Sequence, residues 1–170
     1  DDCVADNDCY CERLHSGMVK QPINTWSNLG FMLAGLVILL MVGNSGLDPA
    51  TEPNPMKAAS LLAILYGAVV IYLGPGSMFF HASMKQWGGW LDTFSMVIFT
   101  SFLFLYDLLH TVFSADAAVF IVLWLIANVA LGYWTWWMDK NHRGAKILGL
   151  TPGSFTFGAF AVLWALLQIL

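Results

Sequence analysis

Charge is scarce in this sequence. Asp, Glu, Lys and Arg make up 11% of the residues against 58% hydrophobic, whereas an ordinary soluble domain carries roughly 25% charged residues. So few ionic side chains cannot cover a water-facing surface, which excludes a soluble globular domain. Seven Lys and Arg in all are also too few for the basic face on which nucleic-acid binding depends, so no nucleic-acid partner is expected. Cysteine is equally sparse. Cys3, Cys9 and Cys11 all lie in the N-terminal segment, their spacing fits neither a zinc finger nor a haem attachment site, and an odd count leaves one thiol over. Three of the six prolines crowd between Pro49 and Pro55, leaving long uninterrupted runs elsewhere. There is no initiating methionine, which hints at trimming of the N terminus.

What is present in quantity is apolar sequence in separate blocks of roughly 20 residues, each long enough at about 1.5 Å per residue to cross about 30 Å of hydrocarbon. Several such blocks exclude a lone signal peptide. Lipid leaves an open-ended backbone only the helix. The expected fold is therefore all-α, a single integral membrane domain, 1–170, built as a polytopic helical bundle. A polar segment, 1–21, precedes helices at about 25–43, 58–82, 90–110, 117–138 and 152–170. Asn44 to Pro55 reads as a loop, Ser114 to Asp116 as a turn and Lys140 to Lys146 as a basic loop. After Ser154 only 16 residues remain, about 24 Å of helix, so the bundle is expected to be truncated inside its last helix. Arg13, Lys20, Lys85, Lys140, Arg143 and Lys146 fall on the N-terminal face and only Lys57 on the other. The positive-inside rule then makes the N-terminal side cytoplasmic, although a disulfide among the cysteines would favour the opposite orientation.

The chemistry concentrates between Gly74 and Asp92. Ser77 and His81 are four apart and share a helical face, and Gly88-Gly89 is expected to turn the chain so that Asp92 returns beside them. Gly74-Pro75-Gly76 should kink or loosen the helix one turn earlier. Ionisable groups in membrane segments are expensive and usually functional. Plainer readings exist for each: His81 as an interfacial side chain, Asp92 as a helix cap. Asp107 and His110 read as a satisfied interfacial pair. His15 and His142 lie on the same face as His81, but Lys140 and Arg143 beside His142 disfavour a cation there. Trp87, Trp90, Trp134, Trp136 and Trp137 read as an aromatic belt.

Taken together, Ser77-x-x-x-His81, Leu91-Asp92, Cys11-Glu12 and Asn24-Thr25-Trp26-Ser27-Asn28 resemble the alkaline ceramidase family, in particular its bacterial ceramidase-like members. The family belongs to a wider group of seven-helix membrane hydrolases that includes the adiponectin-receptor-like proteins. The similarity runs from about Cys9 through the fourth helix. It implies a seven-helix bundle, here truncated to about five helices, in a bacterial inner membrane. It also implies an intramembrane zinc held by three histidines and hydrolysis of ceramide or a related N-acyl lipid to a sphingoid base and a fatty acid. By position His81 is then a zinc ligand, Ser77 the hydroxyl beside the metal and Asp92 the carboxylate that handles the proton. The other two ligands come in the family from a His-x-x-x-His of the last helix, which this sequence does not contain, so the 170-residue chain is expected to be inactive alone. Eukaryotic members bind calcium through N-terminal acidic residues. Glu12 matches one of these, Gln21 stands where another would be, and Asp6 and Asp8 are the available substitutes. The competing readings are a receptor-like protein or hydrolase of another lipid bond within the same group, and a transporter with a Ser/His/Asp pathway. The transporter is disfavoured because no second buried polar cluster is expected.

Overall fold

In the computed structural model the described residues are 12–44, 60–114, 116–142 and 144–169. The cysteines, Asp6, Asp8 and nearly all of the 44–55 loop lie outside them. Six α-helices follow one another among the described residues: α1 Pro22–Ser27, α2 Leu29–Asn44, α3 Ser60–Ser83, α4 Gln86–Asp107, α5 Ala117–Asn141 and α6 Pro152–Leu167. α1 and α2 together form one apolar segment, Pro22–Val42, and with Leu61–Ser83, Gln86–His110 and Ala117–Asn141 make four segments long and apolar enough to cross a membrane. The protein is an all-α, multi-pass integral membrane protein, as its composition requires.

The helix starts follow from local side chains. Asp116 accepts from the Val119 backbone N–H at 2.9 Å and so caps α5, and Thr151 accepts from Ser154 N–H at 3.2 Å with Pro152 in the first turn of α6. The reversal between α3 and α4 departs from expectation. It falls at Met84, which adopts a left-handed φ of 50°, and at the extended Lys85. Gly88 and Gly89 sit inside the first turn of α4 instead. A Cβ at Gly88 would stand 2.8 Å from the Phe80 Cα, so the glycine is needed for close packing and not for turning.

α2 packs on α3, α3 on α4, and α4 is central, touching α3, α5 and α6. A buried apolar core lies between α3, α4 and α5, where fully buried Phe102 meets Phe120 and Trp124 edge to face at 5.0 and 5.7 Å and Tyr66 at 5.5 Å. These geometries match the ring quadrupoles. Directly beside Phe102, buried Ser101 accepts from the Asn128 amide at 3.0 Å, and that amide also donates to Trp124 O at 2.8 Å. A second buried polar pair therefore exists, contrary to expectation. Its groups satisfy one another, so it acts as an interhelical clamp. Asn128→Leu should lower stability in mild detergent by about 0.6 kcal/mol and at most about 1.7, the range for such bonds in membrane proteins. An unchanged unfolding midpoint would show that the bond contributes nothing.

The Asp107–His110 pair is not formed as expected. Asp107 Oδ2 accepts from Trp164 Nε1 and Gln168 Nε2, both at 2.6 Å, which ties α4 to the end of α6. The His110 ring stacks on Tyr106 at 5.4 Å. The cause is the π-helical turn Leu108–Val112 that follows Asp107. Its wider winding rotates His110 off the face that an unbroken α-helix would give it.

Candidate functional site

The C-terminal end of α3 leaves carbonyls without helical partners, and the segment before α1 supplies them. Lys20 N–H donates to Ala82 O and Gln21 N–H to His81 O, each at 3.0 Å. The N-terminal strap thereby runs antiparallel along the end of the helix that carries Ser77 and His81. Its far end is also tied down. Both carboxylate oxygens of Glu12 accept backbone N–H groups at the start of α1, from Ile23 at 2.9 Å and Asn24 at 2.7 Å. An anion at a helix N-terminus is favourable for the dipole and for the orphan donors alike. Glu12, the residue that matches a calcium-binding carboxylate of the family, caps α1. Asp8, its expected companion, lies outside the described residues.

His81 is 8% exposed. Its Nδ1 lies 2.6 Å from Oε1 of Gln21, a side chain with no exposed surface. On the neighbouring turn of the same helix, Ser77 lies beside the Asp92 carboxylate across the α3–α4 interface, and Asp92 is also close enough to His81 for their charges to interact. What brings the two helices together there is Gly76. A Cβ on it would fall 2.8 Å from the Ser95 side chain, and Ser95 keeps its own hydroxyl turned back onto Asp92 O at 2.7 Å. α3 runs on through Pro75, and the flanking glycines allow close approach, Gly74 to Met32 and Gly76 to Ser95. Asp92 is not a cap: α4 begins at Gln86 and has no acidic residue in its first turn.

His15 and His142 are exposed. His142 lies edge-on against Trp137 at 4.9 Å. Among the described residues no three His, Cys, Asp or Glu side chains are grouped to hold a metal. On the same face, Trp90 donates to Thr135 at 3.2 Å and the Lys140 ammonium sits 4.8 Å from the Trp136 ring centroid, the interfacial habit expected of an aromatic belt.

Two cavities flank α4. One, of about 430 Å³, lies among the ends of α4, α5 and α6 and includes Lys85, Thr135 and Asp139; the other, of about 440 Å³, is an apolar groove between α4 and α5 lined by Phe94, Trp124 and Tyr133. Neither is lined by Ser77, His81 or Asp92. Asp139 already accepts from Gln86 at 2.9 Å, whereas the three-residue cluster combines functional groups that make a reaction: a hydroxyl donor, a carboxylate and an oriented imidazole. The cluster is therefore the candidate site. The sequence pointed to all three of these residues but not to Gln21, since nothing local connects residue 21 with residue 81.

A family model described as Ceramidase matches residues 8–163. Searches of curated proteins and of solved structures gave no match.

Proposed function

Since the chain belongs to the Ceramidase family, whose members hydrolyse the amide bond of ceramide, we propose that it cleaves ceramide or a related N-acyl lipid by a zinc-dependent reaction within the membrane. The observation that carries this reading is the meeting of Ser77 and His81, from one helix, with Asp92 from the next. Hydrolysis breaks the acyl C–N bond, adds the oxygen of water to the acyl carbon and returns a proton to the leaving amine. Asp92 takes the proton from the attacking water and delivers it to the amine nitrogen, as a carboxylate within hydrogen-bond reach of both does. The Ser77 hydroxyl donates to the carbonyl oxygen as negative charge builds there.

His81 fits a zinc ligand. It is buried, and its Nδ1 is held by an amide oxygen at 2.6 Å, the outer partner that zinc-bound imidazoles commonly have, so coordination falls to Nε2. When bound, zinc supplies Lewis-acid polarisation of the carbonyl and lowers the pKa of water to about 7. The described residues contribute this one histidine, and the reading requires further ligands from outside them. The excess of Lys and Arg on the N-terminal face supports a cytoplasmic site, and the resemblance to bacterial ceramidase-like proteins favours a bacterial inner membrane.

The test is metal removal. Full-length protein that carries the remaining ligands, purified from membranes and given ceramide, should release fatty acid, lose that activity on treatment with a strong chelator and regain it with zinc. Undiminished release after exhaustive chelation would end the zinc reading while leaving the hydrolase intact.

A further inference from the structure

We propose that Gln21 is a positioning residue that sets the tautomer and orientation of His81. Its consequence for catalysis rests on the hydrolase reading, but the contact itself does not. The direction of the Gln21 amide follows from its neighbours. Its Nε2 end faces Glu12 O at 3.0 Å, and a backbone carbonyl can only accept, so that end must be the NH₂. The Asn24 Nδ2 lies 3.3 Å from the Oε1 end and can donate to it in this orientation. The atom 2.6 Å from His81 Nδ1 is therefore an acceptor, and Nδ1 carries the hydrogen. In a neutral imidazole the other nitrogen, Nε2, then has the lone pair. The Nδ1–H tautomer is thus selected by a side chain that is itself held at both ends.

The Gln21 backbone reinforces the selection. Its N–H donates to His81 O at 3.0 Å, while its carbonyl accepts the Thr25 N–H at 2.8 Å and the Thr25 hydroxyl at 2.7 Å. Residue 21 therefore grips residue 81 through main chain and side chain together. The strap from Glu12 to Gln21 is what holds it in place: Glu12 supplies the carbonyl that orients the amide and the carboxylate that anchors α1. The segment before the first helix thereby reaches the chemical centre through one buried amide.

The experiment uses protein labelled with ¹⁵N-histidine, without added metal, at about pH 8, above the ordinary imidazole pKa of about 6.5. Two-bond ¹⁵N–¹H correlation spectra distinguish the tautomers. Wild-type His81 should show a protonated Nδ1 and an unprotonated Nε2. Gln21→Met, similar in length but without a strong acceptor, should shift His81 towards the Nε2–H form and raise the zinc dissociation constant about 10- to 100-fold. Gln21→Glu, which restores an acceptor, should keep Nδ1–H. It also guards against the apolar variant failing to fold, which helicity by circular dichroism would show. An Nε2–H tautomer in the wild type or in Gln21→Glu overturns the proposal, as does unchanged tautomer and zinc affinity in folded Gln21→Met. A wild-type protein with the expected tautomer that binds no zinc would leave the positioning role standing and remove the metal-dependent reading instead.

Discussion

Replacing His81 by alanine is expected to abolish zinc retention and ceramide hydrolysis together. If the histidine holds the ion that activates water, no described residue within its reach replaces it: His15 and His142 are exposed, and no three-residue metal-binding group occurs among the described residues. Enzymes accelerate their reactions by roughly 10⁶-fold or more, so losing the activating ion should take turnover to the background of the assay. Truncation also removes the partner of Gln21 Oε1 at 2.6 Å. A buried group that loses its partner typically costs about 1–3 kcal/mol, and Asn24 Nδ2 at 3.3 Å limits the damage here. The variant should therefore be somewhat less stable but still helical. Zinc content per chain, fatty-acid release and circular dichroism must be measured on the same preparation. Full zinc and full activity in His81→Ala would refute the ligand assignment.

Asp92→Asn should separate chemistry from metal binding. The amide keeps the volume of the carboxylate and an oxygen able to accept from the Ser77 hydroxyl, so the α3–α4 contact through Gly76 and Ser95 is preserved. What it loses is the ability to take up and release a proton. General acid–base groups contribute about 10² to 10⁴ in rate, and turnover should fall by that much with zinc content unchanged and KM little altered. A fall of less than about tenfold would reduce Asp92 to a structural partner of Ser77. A loss of zinc as well would move the carboxylate into the metal's coordination shell.

Part of the site is legible in the sequence because it depends on helical period alone. Four residues of an α-helix place Ser77 and His81 one above the other whatever surrounds them. Asp92 does come close to Ser77 and His81, but through a different geometry from the one the sequence suggests. The turn that returns it is at Met84 and Lys85, because the glycines that resemble a turn signal are consumed by contact with Phe80. The pairing of Asp107 with His110 fails for a related reason: regular spacing does not hold across a segment where the helix winds differently.

By itself the sequence determined that this protein lives in a bilayer, that it does so as helices, and that Ser77 and His81 share a face. Those properties follow from the partition of side chains between lipid and water and from the fixed pitch of the helix, both of which act locally. Only the tertiary structure decided that Asp92 meets Ser77, that Glu12 caps α1, that Asp107 joins α6 and that Gln21 holds His81. These contacts join residues from 11 to 61 positions apart, and they form through the register between helices, set where Gly76 lets α3 approach α4 and where the strap bonds to the end of α3. Composition and periodicity carry no information about that register, because it arises from side-chain shapes meeting across helices.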